Sequence, residues 1–182
     1  MKIVVYCSAS SDLPQEIIDI ASLLGRWIGE GGHTLVYGGV NAGLMHVTAQ
    51  AAVEAGCCDV VGIVPEMFKH RADPLCTRLL LATDLNHRKA MLIAAGDVFV
   101  VLPGGLGTID EWVSTLSQLV VEGSDRPVVV VNYGGMYAAQ AQQLRATAQS
   151  RFARATGIDR SILVTTPQEL INQLRKLNIS PL

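Results

Sequence analysis

The residues with the clearest chemical potential lie in the run Leu102-Pro-Gly-Gly-Leu-Gly-Thr108, which follows an apolar stretch and opens a helical pattern. Glycines in such a turn let the backbone approach a ligand, and the free N–H groups and dipole of a helix start suit a phosphate. Tyr37-Gly-Gly-Val-Asn-Ala-Gly-Leu44 has the same character after an earlier apolar stretch, and there a plain strand-to-helix turn is an equal reading. Glu111 stands three residues after Thr108. That spacing is a capping box, in which the carboxylate bonds the N-cap backbone. It also sets a carboxylate about one turn from a phosphate, where it repels the ligand unless it acts on the sugar. Asn86-His-Arg-Lys89 raises a related question, because Arg88 and Lys89 fall in the first turn of an expected helix, the end at which the dipole disfavours cations. Either Asp84 compensates them locally or a ligand's negative charge does.

Other chemistries lack their residues. Gly105-Leu-Gly107 begins a dinucleotide fingerprint, but Asp110 occupies the third glycine position and no acid ends the following strand. Neither a G-x-x-x-x-G-K-[ST] loop nor a G-x-S-x-G elbow is present. His33 reads as a turn residue, His46 as a helix-face residue near the first glycine loop, and His70 as part of the polar stretch Lys69 to Asp73. No His, Cys and carboxylate set has metal-ligand spacing, and Cys7, Cys57, Cys58 and Cys76 read as buried free thiols. A nucleoside monophosphate or a sugar phosphate remains, with no metal and no cofactor expected.

These residues need a scaffold that presents loops side by side. Short β-branched runs at Ile3–Cys7, Thr34–Tyr37, Val60–Val64, Val98–Leu102, Val128–Val131 and Ile162–Thr165 suit strands buried on both faces, with Leu79–Ala82 as a further candidate. Between them Ile17, Ile20, Ala21, Leu24, Trp27 and Ile28 follow helical spacing, as do Ile109, Trp112, Val113, Leu116, Leu119 and Val120, and finally Leu170, Ile171, Leu174 and Leu177. Further helices are expected from about His87 to Ala95 and over Ala138 to Gln149. The alternation predicts an α/β chain: a single-domain, Rossmann-like, doubly wound parallel sheet with helices on both faces, spanning residues 1–182. Ligands in such sheets bind beyond the carboxyl ends of the strands, where both glycine loops fall.

Composition narrows the partners. The chain has 182 residues, 49% hydrophobic and 16% charged, with 14 basic and 16 acidic residues and a net charge of −2. No single-sign block supplies an electrostatic footprint for nucleic acid or a membrane surface. The uncharged stretch Gly31–Val53 is broken by glycine pairs, His33, Asn41, His46 and Gln50 and does not read as a membrane span. The apolar run after Lys2 is too short for a signal peptide, which points to a cytoplasmic protein.

Pro103-Gly-Gly-Leu-Gly-Thr-Ile-Asp-Glu111 resembles the PGGxGTxxE motif of the LONELY GUY family of cytokinin riboside 5′-monophosphate phosphoribohydrolases. Arg88-Lys89 falls where that family has the end of its M-H-x-R-K element, and Tyr37-Gly-Gly, Gly43-Leu-Met45 and Gly62-Ile-Val-Pro65 resemble other elements of it. Departures stand at Val40 for a glycine, His46 for the glycine usual after Leu-Met, Leu85-Asn86 for Met-His, and Ser8-Ala-Ser10 for Gly-Ser-Ser. The resemblance implies hydrolysis of the N-glycosidic bond of a nucleoside 5′-monophosphate, by a homodimer. It implies Glu111 and Arg88 as catalytic residues, with Ser8, Gly39, Leu85, Lys89, Gly104, Gly105, Leu106, Gly107 and Thr108 binding substrate. A nucleotide sensor or carrier of the same fold is the alternative that the departures suggest. Relatives are often labelled lysine decarboxylases, a chemistry that needs a Schiff-base lysine. Of Lys2, Lys69, Lys89 and Lys176, only Lys89 falls near the expected site.

Overall fold

The structure is a computed structural model that describes residues 1–150 and 161–179. The β-branched runs form seven strands: β1 (Lys2–Tyr6), β2 (Thr34–Tyr37), β3 (Val60–Pro65), β4 (Arg78–Ala82), β5 (Val98–Val101), β6 (Val128–Val131) and β7 (Ser161–Val164). Interleaved with them are α1 (Gln15–Glu30), α2 (Gly43–Glu54), α3 (Leu85–Ala95), α4 (Leu106–Glu122), α5 (Ala138–Ala148) and α6 (Pro167–Ile179). All strands pair in parallel in the order β4-β3-β2-β1-β5-β6-β7. The expected doubly wound sheet is therefore present, and Leu79–Ala82 belongs to its edge strand.

Strand periodicity divides the core in two. Ile3, Val5, Leu35, Tyr37, Val98, Val100, Val129 and Val131 face α1, α2 and α6, while Val4, Tyr6, Val36, Phe99, Val101, Val128 and Val130 face α3, α4 and α5. Because both faces are covered, continuous valine runs are tolerated where a one-sided sheet would require alternation.

The chain reverses its winding direction at β1, whose neighbours are β2 on one side and β5 on the other. Such a switch point opens a crevice at the carboxyl ends of the two central strands. Tyr6 stands opposite Val101, and the pairing continues past both strands: Leu102 N–H donates to Tyr6 O at 2.9 Å and Ser8 N–H to Pro103 O at 3.1 Å. The loop after β1 is thereby fixed beside the glycine loop after β5.

Two local expectations change, and the expectation for His33, which does follow the turn after α1, gains its burial. The helix expected from about His87 begins at Leu85, because the Asp84 carboxylate caps it by accepting from the amides of Asn86 and His87 at 2.8 and 2.9 Å. His33 is buried, its ring 4.6 Å from that of Trp27, with Nε2 unpartnered. Cys7 and Cys57 are buried thiols, whereas Cys76 is half-buried and Cys58 is exposed at the turn before β3.

Arg126 ties the far ends of α3 and α4 together. Its guanidinium donates to the carbonyls of Ile93 and Gly96 at 2.6 and 2.9 Å and to Glu122 at 2.6 Å, and it lies 5.3 Å from the centre of the Phe99 ring. Arg126→Ala leaves these carbonyls without a charged donor and is expected to lower unfolding free energy by about 2 kcal/mol. Urea denaturation followed by circular dichroism measures the loss.

Candidate active site

The crevice at the switch point is a cleft of about 500 Å³. Cys7 and Ser8 after β1, Gly38 and Val40 after β2, Pro65, Phe68 and Arg71 at and after β3, and Gly105, Gly107 and Thr108 at the start of α4 contribute to its lining. Arg88 and Lys89 from α3 and Asp110 and Glu111 from α4 complete its charged part.

Its centre is an ion pair. Arg88 donates from Nη1 to Glu111 Oε1 at 2.6 Å and from Nε to the carbonyl of Ile63 at 3.0 Å. The side chains are only 15% and 11% exposed. Burial pushes the Glu111 carboxyl above the ordinary glutamate range, and the Arg88 charge opposes that push. Behind it, Thr115 donates to the Glu111 carbonyl at 2.8 Å and shares a 2.8 Å hydrogen bond with Tyr6. Beside it, Lys89 reaches both Asp110 oxygens at 3.0 and 2.9 Å and Ser114 at 3.4 Å.

These pairs answer both questions raised by spacing. The N-cap of α4 is Gly105, so Thr108 lies within the first turn, and the Glu111 carboxylate is turned to Arg88 rather than to a backbone amide. The capping-box interpretation is corrected. On α3, Asp84 is occupied as a cap, and the two cations are met by carboxylates of α4. Gly38 makes room for this arrangement, since a Cβ there would overlap the Arg88 guanidinium.

The glycine loop separates into two roles. A Cβ on Gly104 would strike the Thr108 side chain and come within 3.0 Å of the Ser8 nitrogen, so Gly104 closes the turn. A Cβ on Gly105 or Gly107 would meet nothing within 4 Å, although both line the cleft. The space beside them adjoins the Leu106 and Gly107 amides at the helix start, which have no i−4 carbonyl to bond and suit an anion, whereas the Thr108 N–H donates to Gly105 O at 3.1 Å. Buried Tyr137, which carries no motif of its own, fixes the loop from below: its hydroxyl donates to the carbonyls of Leu102 and Gly104 at 3.0 and 3.3 Å. Burial lifts the Tyr137 hydroxyl pKa to about 12, so it remains a donor.

Of the other expected binding residues, Ser8, Leu85 and Lys89 line the cleft, but Gly39, Gly104 and Leu106 do not. Gly39 is in the left-handed region at φ +66° and packs on Gly62, and Leu106 is 84% exposed. Phe68, Arg71, Met45 and Asp110 were not expected there. Arg71 lies in the polar stretch Lys69 to Asp73, which was visible, but its arrival at the cleft depends on folding across the loop after β2.

A family model described as "Possible lysine decarboxylase" matches residues 45–174. The chain belongs to this family. Curated relatives are the cytokinin riboside 5′-monophosphate phosphoribohydrolases of Rhodococcoides fascians, 34% identical over 138 residues covering 74% of this chain and 69% of the relative, and of Mycobacterium marinum, 30% identical over 164 residues covering 89% and 87%. Among solved structures, the molybdenum cofactor binding protein of Rippkaea orientalis superposes with a TM-score of 0.77 at 20% identity, covering 97% of this chain and 96% of that one. The molybdenum cofactor carrier protein of Chlamydomonas reinhardtii gives 0.76 at 21%, covering 98% of both. At those identities the likeness is one of fold.

The family model's description invokes a decarboxylase, whose pyridoxal phosphate would need a free lysine amine. Lys89 directs its donors to Asp110 and Ser114, and no other lysine lines the cleft. The described residues do not fit that group.

Two outcomes follow from this geometry. Gly104→Ala is expected to unfold at lower denaturant than the wild type, while Gly105→Ala keeps wild-type stability and loses nucleotide affinity by about tenfold or more, as read by calorimetry. In the free protein, a carboxyl-carbon NMR titration of Glu111 is expected to give a midpoint above that of an ordinary glutamate, rising further in Arg88→Ala. Loss of a cationic neighbour removes the influence favouring the carboxylate.

Proposed function

We propose that the protein hydrolyses the N-glycosidic bond of a nucleoside 5′-monophosphate, AMP or an N6-substituted AMP, to the free base and ribose 5-phosphate. The observation that carries this reading is the buried Arg88–Glu111 pair set one turn beyond a glycine loop with open space at Gly105 and Gly107. Phosphoribohydrolase relatives at 30% and 34% identity agree with it.

The 5′-phosphate is anchored by the α4 amides and Thr108, which sets the ribose beside Glu111. Interactions with this non-reacting phosphate are then available to hold the sugar in a strained geometry. As the bond between C1′ and the base nitrogen breaks, its electron pair leaves with the base and positive charge develops on the ribose. The Glu111 carboxylate stabilises that charge and accepts a proton from the water whose oxygen bonds C1′. Arg88 uses Oε1, which leaves Oε2 to orient the water. Arg88 remains close enough to stabilise negative charge on the departing base, and Lys89 adds positive potential. The proton ends on the base, so water is the sole co-reactant.

We further propose a homodimer in the cytoplasm. Leu79, Leu80, Leu81 and Leu85 leave an apolar surface at the β4 edge and the start of α3, and a reducing compartment suits the free thiols. Light scattering is expected to give twice the chain mass at micromolar concentration.

Incubation with AMP or an N6-substituted AMP, followed by chromatography, is expected to release free base. Glu111→Ala and Arg88→Ala should each reduce the rate by at least about 100-fold. Tight nucleotide retention without base release would favour the carrier alternative.

A further inference from the structure

Asp73 is a carboxylate with no solvent exposure outside the Arg88–Glu111 centre. Its Oδ2 lies 3.1 Å from His46 Nδ1, its Oδ1 accepts from the Leu75 amide at 3.1 Å, and its own N–H donates to Gly39 O at 2.8 Å. Next to it, Val40 and Ala72 form an antiparallel bridge, and Asn41 N–H donates to Arg71 O at 2.9 Å. Together these contacts strap the segment from Glu66 to Asp73 across the loop after β2. A carboxylate withdrawn from water needs donors, and His46 in the first turn of α2 supplies a side-chain donor to it.

The strap carries one wall of the cleft. Phe68 and Arg71 line it together with Pro65 at the end of β3 and with Val40 and Met45. The glycine loop follows β5, and β3 lies three strands away in the sheet, roughly 14 Å at ordinary strand spacing. A nucleotide held by its phosphate at α4, with its ribose at Glu111, directs its base toward this wall. The Phe68 ring offers the base an apolar face, and Arg71 offers hydrogen-bond donors.

We propose that the His46–Asp73 pair is a latch that positions the Phe68 and Arg71 wall against the base, making His46 a positioning residue for base recognition. The base-recognition part rests on the phosphoribohydrolase reading, whereas the latch itself does not. His46 touches neither Arg88 nor Glu111 in the hydrogen-bond network, so its loss acts on substrate affinity before chemistry.

The test measures two properties in His46→Ala and His46→Asn: tryptic cleavage after Lys69 and Arg71, both exposed within the strap, and steady-state base release from AMP. Asparagine places an amide donor near the former Nδ1 position. Cleavage of a native protein tracks how often the segment opens. For His46→Ala, strap cleavage is expected to accelerate about tenfold, with KM rising about tenfold and kcat staying within about twofold. His46→Asn should restore both properties. Unchanged cleavage in His46→Ala overturns the latch, and a raised KM with unchanged cleavage overturns it in favour of direct substrate contact by His46. If His46→Ala is cleaved throughout the chain, His46→Gln, which keeps bulk but displaces the donor, takes its place with the same expected readings. If the wild type releases no base, the functional reading fails on its own, and the cleavage comparison still decides the latch.

Discussion

Guanidinium and carboxylate groups withdrawn from water must each find a partner, and the Arg88–Glu111 pair meets that constraint across two helices. Much of the surrounding architecture can be understood from it. Gly38 leaves room for the guanidinium, the Ile63 carbonyl takes its Nε, and Thr115 with Tyr6 braces the backbone behind Glu111. Asp84 sets where α3 begins and Gly105 where α4 begins, so the cation and the carboxylate meet near the starts of their helices. Arg126 joins the other ends of the same helices. The pair is therefore held at both ends of α3 and α4, which is what a preorganised site requires.

The phosphate loop and the pair are linked through the sheet switch point. Parallel pairing of β1 with β5 continues into Ser8 and Pro103, and Tyr137 fastens the carbonyls of Leu102 and Gly104. Gly104 is spent on closing the turn, whereas Gly105 and Gly107 leave open volume. One short motif thus contains both a folding requirement and a binding surface, and the two are distinguishable by what an added Cβ would meet.

Much of this was legible in the chain. β-branched runs located the strands because a doubly covered sheet accepts uninterrupted apolar sequence, and the helical stripe from Ile109 to Val120 located α4. Gly105, Gly107, Thr108, Arg88 and Glu111 were visible as types at telling spacings. What spacing left undecided was partner choice: Thr108-x-x-Glu111 fits a capping box as well as a reactive carboxylate, and only the arrival of Arg88 from another helix separates them. Tyr137 and Phe68 carry no local signature, and although His46 and the polar stretch Lys69 to Asp73 stand out in the chain, the His46–Asp73 pairing and the arrival of Arg71 at the cleft depend on elements brought together in the fold. Gly39 stands beside the cleft lining with a left-handed backbone packed on Gly62, a close approach that only the folded loop after β2 reveals.

The most direct measurement is a crystal structure of Glu111→Gln with AMP bound. The expected result is a phosphate on the first-turn amides of α4 beside Gly105, Gly107 and Thr108, with C1′ next to residue 111 and the base toward Phe68. A nucleotide whose phosphate lies elsewhere, or whose C1′ is out of reach of residue 111, would contradict the assignment of the Arg88–Glu111 centre to glycosidic cleavage.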